Sequence, residues 1–143
     1  MTKYPLVFNA TTNATSGLNT PWESNAFNQL PLTVAIPKEF EGEGGGYSPE
    51  DLYLLALTNC FVATFKFAAH KSALTFSDLK VETRLIVDLD ESGRPMMKEF
   101  YLDSYLSGAS HAERAQRLLT KIEGSCLILN SVKTKVIFHH HLC

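Results

Sequence analysis

The stretch that decides the fold is GYSPEDLYLLALTNC, residues 46–60, and it has the features of a long helix's first turns. Ser48 can cap the helix, Pro49 suits the first helical position, and the two acidic residues that follow favour the positive end of the helix dipole. We therefore predict a helix from Pro49 to about Lys71. Its middle is apolar on nearly every face, so we expect it to be central and buried.

Cys60 lies in the middle of this predicted helix, and Cys126 opens a short apolar segment after a second predicted helix. A buried free cysteine often only fills space, but two of them on separate central elements could form a redox pair. Cys143 is the last residue of the sequence, and we expect an exposed thiol there. Three cysteines do not make a disulfide framework, so we expect a cytoplasmic protein whose thiols stay reduced.

The length, composition and charge of the chain limit the classes of protein to which it can belong. The chain has 143 residues, 45% hydrophobic and 20% charged, which predicts a single domain spanning residues 1–143. A net charge of −2 argues against nucleic-acid binding and against an anionic membrane surface. The apolar run over residues 52–65 is too short and too polar for a membrane span, and the N-terminus lacks the apolar core of a signal peptide.

The sequence also argues against a bound metal. There is no CxxC or HxxxH spacing, which zinc sites commonly use. In the run His139-His140-His141, neighbouring side chains on a strand would point to opposite faces, so only the first and third could act together. We expect neither a metal nor another cofactor.

The remaining elements follow from apolar alternation and turn residues. A hairpin is expected around the turn at residues 91–95, and a helix with a Ser110–Glu113 capping box is expected to end near Ile122. The segment from Cys126 to Val132 is expected to begin a short helix. The predicted strands lie at residues 4–8, 30–36, 81–89, 97–106 and 132–140. This order predicts an α+β domain.

The stretch Gly46–Leu52 leading into Ala56–Cys60 resembles a motif of the OsmC/Ohr family of peroxiredoxin-like proteins. The family pattern is a Ser-Pro-Glu helix start with a cysteine ten residues after the glutamate, and Glu50 and Cys60 have this spacing. A second family cysteine opens a CPxSNA-like element, which CLILNS at residues 126–131 matches in part. The likeness covers nearly the whole chain.

The resemblance implies antiparallel sheets wrapped around a long buried central helix, in an intertwined homodimer with active sites near the subunit interface. It also implies a cofactor-free, thiol-dependent reduction of organic hydroperoxides, with an external dithiol as the reductant. Carried over by position, Cys60 would attack the peroxide and Cys126 would resolve the product as a disulfide. Glu50 would belong to the supporting polar network.

Two positions of the second motif and one feature of the N-terminal region depart from the family pattern. Leu127 and Leu129 stand where the family has proline and serine. The family's hydroperoxide reductases hold the thiolate with an N-terminal arginine, but no lysine or arginine occurs between Tyr4 and Pro37.

A peroxidatic cysteine must react as the thiolate, and burial alone opposes ionisation, so a positive group is needed near Cys60. Arg84, Arg94, Lys66 or a residue of the partner subunit could supply it. Two other functions stay open: a non-catalytic relative that binds a small hydrophobic molecule in an apolar pocket expected around Cys60, and a thiol redox sensor.

Overall fold

Residues 2–143, the part of the chain that this computed structural model describes, form six strands and two α-helices. In chain order they are β1 (Ala10–Asn13), β2 (Trp22–Ala26), β3 (Leu32–Val34), α1 (Pro49–Lys71), β4 (Asp78–Leu89), β5 (Pro95–Ser107), α2 (Ala112–Ile122) and β6 (Lys135–Leu142). Short 3-10 helices cover Lys38–Phe40 and Leu129–Ser131. The α+β class is confirmed. The chain divides into two compact units, Met1–Tyr53 and Leu54–Cys143, and a single domain over 1–143 stays a prediction.

The first unit contains a three-stranded antiparallel sheet in the order β1-β2-β3. The prediction of a strand over residues 4–8 is wrong, because the first strand begins at Ala10. Residues 9–29 are rich in Asn, Thr and Ser, which suggests turns and one irregular strand; they instead supply the two strands β1 and β2, which pair from Ala10 opposite Ala26. These strands form because their backbones pair with each other, and such pairing does not require the apolar alternation that was used to predict strands.

The start of α1 lies where the sequence places it, at Pro49. The hydroxyl oxygen of Ser48 accepts a hydrogen bond from the Asp51 N–H at 3.0 Å, and Oδ2 of Asp51 accepts one from the Ser48 N–H at 3.0 Å. This reciprocal pair is a capping box with aspartate in the acidic position, and it satisfies two amide donors at the helix start. The helix ends at Lys71, as predicted.

Within one chain, α1 is buried along one stripe rather than on nearly every face. Leu57, Phe61 and Phe65 are fully buried at four-residue spacing, whereas Leu55 and Phe67 on other faces are 41% and 65% exposed. The other faces of α1, although apolar, are therefore partly exposed in the single chain. Among the residues described, α1 has the length and apolar composition that could cross a membrane, a test that the core helix of a soluble protein also passes.

The second unit contains a three-stranded sheet in the order β4-β5-β6. The predicted long hairpin is confirmed: β4 and β5 pair antiparallel over their whole lengths, with a register shift between Ile86 and Val87. The last strand, β6, pairs parallel to β5, so this sheet is mixed and not antiparallel throughout. The physical reason is that α2 lies in the connection between these strands, and a helical crossover returns the chain in the same direction.

The N-terminus of α2 differs by one residue from the predicted capping box. His111 is the N-cap, and its Nδ1 accepts from the Arg114 N–H at 3.2 Å. Ser110 instead accepts from the Thr75 N–H at 3.1 Å, which ties this turn to the segment after α1. The core of the second unit comes from one face of each helix and from inward-facing strand residues. Its largest fully buried members are Phe61, Phe65, Phe100, Leu57, Leu102, Leu106 and Leu119.

The capping box predicts a measurable loss of stability. We expect Ser48→Ala to lower the free energy of unfolding by about 1 kcal/mol, because the Asp51 amide loses its hydrogen-bond acceptor. Urea denaturation at fixed protein concentration measures it. Ser125→Ala, at an exposed position, is the matched control, and equal losses in the two variants would contradict the assignment.

Candidate active site: a thiol pair between α1 and the segment after α2

The side chain of Cys60 is half-buried on α1, about three turns from the helix start. The donor that the structure places on its sulfur is the backbone N–H of Ile128, at 3.3 Å from Sγ. These two residues are 68 positions apart in the sequence. Such a donor makes a charge-assisted hydrogen bond to the sulfur when the thiol reacts as an anion, and that bond is stronger than a neutral one.

The segment Cys126–Ser131 is shaped by its own hydrogen bonds so that the Ile128 amide is available. The Asn130 N–H donates to the Cys126 carbonyl at 2.9 Å, and the Ser131 N–H donates to the Ile128 carbonyl at 3.0 Å. The Asn130 side chain also donates to the Gly124 carbonyl at 2.8 Å. The predicted short helix is thus a turn that ends in the 3-10 helix Leu129–Ser131.

Cys126 is fully buried, and its thiol donates to the carbonyl oxygen of Ile122 at 3.3 Å. Burial is the largest cause that raises the pKa of this thiol, and the neighbouring Cys60 and Glu123 raise it further. The Thr64 hydroxyl acts in the opposite direction and lowers it. A raised pKa keeps Cys126 in the protonated form at neutral pH, so the two cysteines differ in environment.

The structure brings two of the three predicted site residues together. Cys60 and Cys126 are both free, and the Cys60 thiol is near enough to be among the causes that raise the pKa of Cys126. Thr64, one turn after Cys60, donates to the Cys60 carbonyl at 2.7 Å and faces Cys126 as well. Glu50 lies in the first turn of α1. Its Oε2 is buried and has no hydrogen-bond partner among residues 2–143.

Of the cations that the sequence left open for Cys60, Arg84 is directed elsewhere. Its guanidinium lies over the ring of Tyr101, 4.6 Å from the ring centroid. The preceding residue, Thr83, faces α1 and hydrogen-bonds with Thr58 at 2.9 Å. Because successive strand residues point to opposite faces, Arg84 lies on the face of the sheet away from α1.

An apolar groove of about 570 Å³ lies between α1 and α2; its lining reaches Thr64 and Ser125, which neighbour the two cysteines, but does not include Cys60 or Cys126. Its lining includes Ala63, Thr64, Phe67, Ala68, Leu118 and Ile122. Two lysines, Lys71 and Lys121, also border it. A mostly apolar cleft beside a reactive polar atom is the usual form of a small-molecule site.

A group that sequence reasoning missed lies next to Cys126. Oε1 of Glu123 is 2.9 Å from Nε2 of His140, and Nδ1 of the same imidazole is 2.7 Å from the Ser104 hydroxyl. The His140 side chain is only 5% exposed, and its ring stacks on Phe61 at 5.7 Å. The one available signal was the strand alternation of the three histidines, which turns the middle one away from its neighbours.

The outer two histidines face Asp103 on the other side of the sheet. His141 Nε2 lies 3.1 Å and His139 Nδ1 lies 3.9 Å from Oδ1 of Asp103. The predicted alternation of this run is therefore confirmed. Within the described residues, no group of three or more histidine, cysteine or acidic side chains is arranged to hold a metal ion.

Comparison with known proteins gives the class of protein. The profile of the OsmC-like protein family matches residues 42–140. The Bacillus subtilis (strain 168) protein YmaD is 27% identical over 111 residues, covering 75% of this chain and 74% of YmaD. The chain therefore belongs to the OsmC-like protein family, and the resemblance read from the first cysteine motif is confirmed.

Solved structures agree on the fold. The OsmC-like protein VCA0330 from Vibrio cholerae matches with a TM-score of 0.81 and 15% identity, over 95% of this chain and 99% of that one. An organic hydroperoxide resistance protein OsmC from Legionella pneumophila matches with a TM-score of 0.74 and 20% identity, over 98% of both chains. At these identities the likeness is one of fold.

The Ile128 contact predicts a specific loss of reactivity at Cys60. We expect Ile128→Pro to slow alkylation of Cys60 by iodoacetamide about tenfold, because a hydrogen bond to a charged group contributes roughly 1.5–3 kcal/mol. Ile128 has φ of −68°, which proline adopts without strain. The rate is measured by mass spectrometry of the Cys60 peptide.

Leu127→Pro is the matched control, since it introduces the family's own residue one position earlier and keeps the Ile128 amide. It should leave the Cys60 rate unchanged. Equal slowing in both variants would show that proline disturbs the turn and that the amide contributes nothing specific.

Proposed function

We propose that this protein reduces organic hydroperoxides with the thiol of Cys60 and resolves the product with Cys126. The observation that carries the proposal is that two free thiols neighbour each other, with the Ile128 N–H donating to the sulfur of Cys60. The Cys60 sulfur attacks the terminal oxygen of the hydroperoxide, the O–O bond breaks, and the alkoxide leaves and takes a proton to become the alcohol. Cys60 is then a sulfenic acid.

The second half of the cycle uses Cys126. Its sulfur attacks the Cys60 sulfur, an S–S bond forms, and the oxygen leaves as water. An external dithiol then reduces the disulfide by exchange and returns both thiols. A neighbouring thiol that condenses quickly also protects Cys60 from irreversible oxidation to the sulfinic acid.

The groove between α1 and α2 supports an organic substrate. Its apolar lining can receive an alkyl or aryl group while the peroxide points towards Cys60. Proteins of the same fold include organic hydroperoxide resistance proteins from Legionella pneumophila and Bacillus subtilis. Their names agree with the chemistry proposed for this chain.

We assign Glu50 a supporting role in the same site. An ionised carboxylate oxygen that is buried without a hydrogen-bond donor is unfavourable, so its retention calls for a partner outside the described contacts. A cation from a second copy of the chain would satisfy it. A cation from a second copy would also take the place of the N-terminal arginine of the family, since no lysine or arginine occurs between Tyr4 and Pro37.

The protein acts as an intertwined homodimer in this proposal. In the first unit, Val7 and Phe8 are 75% and 89% exposed, and Leu6 and Leu30 are also exposed. In the second, Leu55 and Phe67 of α1 remain uncovered. Apolar surface on this scale marks an interaction site, and a second copy that covers α1 would give the buried central helix predicted from the sequence.

We also propose that the protein is cytoplasmic and that it acts without nucleic acid, membrane, metal or cofactor.

The enzymatic proposal predicts loss of cumene hydroperoxide in the presence of dithiothreitol. Cys60→Ser should abolish turnover, because no other thiol has the same contacts. Cys126→Ser, assayed without dithiothreitol because a dithiol also reduces a sulfenic acid, should reduce one equivalent of peroxide and then stop, with the sulfenic acid trapped by dimedone and seen as a mass increase. Cys143→Ser is the control and should turn over like the parent protein.

The same experiment separates the rival functions. A Cys60–Cys126 disulfide that forms on oxidation without sustained turnover would indicate a thiol redox sensor. Neither disulfide nor turnover would indicate a protein that binds a small hydrophobic molecule, for which the groove is the available site. Activity that survives Cys60→Ser would remove Cys60 from the mechanism.

The dimer proposal predicts a solution mass of two chains by sedimentation equilibrium. We expect the double variant Val7→Asp/Phe8→Asp to shift the protein towards the mass of one chain, because burying two new carboxylates at an interface is unfavourable. Thr11→Asp, at a nearby exposed polar position, should leave the mass unchanged. A parent protein with the mass of one chain would contradict the proposal.

A further inference from the structure

The imidazole of His140 lies in the core of the second unit, where it contacts both the helix that carries Cys60 and the end of α2. On one side its ring stacks on Phe61, with ring centroids 5.7 Å apart and planes within 12°. Phe61 is fully buried and directly follows Cys60 on α1. On the other side, Nε2 is 2.9 Å from Oε1 of Glu123, the residue that caps the end of α2. A single ring therefore touches both sides of the thiol site.

The ring of His140 is fixed from a third direction by Ser104. This serine lies opposite His140 in the parallel pairing of β5 with β6, and its hydroxyl is 2.7 Å from Nδ1. Ser104 is fully buried, and both ring nitrogens of the imidazole are hydrogen-bonded, as burial of a polar ring requires. An ionised carboxylate only accepts hydrogen bonds, so Nε2 donates to Glu123.

The segment after Glu123 carries this anchoring to the thiol site through its own hydrogen bonds. The Asn130 side chain donates to the carbonyl of Gly124, which follows Glu123, at 2.8 Å. The Asn130 N–H donates to the Cys126 carbonyl at 2.9 Å. These two bonds close the turn on itself, so fixing Glu123 at its start restricts the rest of the turn.

The amide that contacts Cys60 needs such an anchor. The donating peptide joins Leu127 to Ile128, and both of these side chains are exposed. Burial of Cys126 and Leu129 holds the turn on either side of this peptide but does not set the direction of its N–H. A hydrogen bond weakens steeply as the donor turns away from the acceptor, so a small rotation of the turn would remove the donor from the sulfur.

We propose that His140 and Glu123 are positioning residues for the reactive thiol, and that they act by holding the Ile128 N–H on the sulfur of Cys60. Ser104 fixes the imidazole in this arrangement. The network acts through geometry, and no proton passes from it to either thiol. The proposal deepens the hydroperoxide reductase function and rests on it for the physiological step. His140, Glu123 and Ser104 lie outside both cysteine motifs.

A positioning role differs in its effect from a role of charge and from a role in stability. A carboxylate that acted only by its charge would oppose ionisation of Cys60, so its removal would speed the reaction of that thiol. A network that only stabilised the fold would leave the rate in the native state unchanged. Loss of positioning slows the reaction, because the amide donor no longer meets the sulfur.

The test measures alkylation of Cys60 by iodoacetamide in the full chain without denaturant, by mass spectrometry of the Cys60 peptide. Glu123→Leu should slow it several-fold, and at most about tenfold, because it can remove no more than the amide hydrogen bond contributes. Glu123→Gln should keep the parent rate, because its amide oxygen accepts the same hydrogen bond from Nε2. Glu113→Leu makes the matched change at an exposed position of α2 and should leave the rate unchanged.

A second measurement tests whether the Ile128 amide is the route. In the Ile128→Pro background the donor is already absent, so adding Glu123→Leu should slow alkylation no further. In the Leu127→Pro background, which keeps the amide, Glu123→Leu should slow it as in the parent protein. The Glu123 side chain is 34% exposed, so its replacement leaves the core filled, and urea denaturation identifies the conditions under which every variant is folded.

An unchanged or faster rate in Glu123→Leu would overturn the proposal. Equal slowing in Glu123→Gln would also overturn it, since the charge and not the hydrogen-bond acceptor would then be required, and so would equal slowing in Glu113→Leu. Slowing that adds to that of Ile128→Pro would show that the network acts by another route. Iodoacetamide replaces the peroxide, so these outcomes are independent of whether the protein turns over hydroperoxides.

Discussion

The site depends on one contact, between the sulfur of Cys60 on α1 and the backbone amide of Ile128 in the turn after α2. For this contact to exist, α1 must bury the stripe containing Leu57 and Phe61, and α2 must end at Ile122 so that the chain turns back. The same turn encloses the Cys126 thiol. The packing of the core therefore also fixes the geometry of the thiol pair.

The two cysteines are in unequal surroundings, and the inequality suits the order of reaction. Cys60 is half-buried, and its sulfur accepts a hydrogen bond from the Ile128 amide. Cys126 is fully enclosed and its pKa is raised, so it stays protonated. In the proposed mechanism, a thiol that is enclosed and protonated would not react first with an external oxidant and would stay available to resolve Cys60.

Local signals in the sequence predicted those parts of the fold whose causes are local. The Ser48 and Pro49 helix start, both ends of α1 and the β4–β5 hairpin were all predicted, because capping and strand alternation act over a few residues. The strand expected at residues 4–8, the exact N-cap of α2 and the direction of β6 were not. Each depends on which other segment a stretch of backbone meets.

The sequence by itself determined the family, the two cysteines and the helix that carries the first of them. The tertiary structure alone decided that an amide, Ile128 N–H, meets Cys60, since a backbone donor leaves no trace in residue identity. It also decided that Glu123, His140 and Ser104 form one hydrogen-bonded chain. They come from three separate elements, and only the parallel pairing of β6 with β5 and the packing of α2 bring them together.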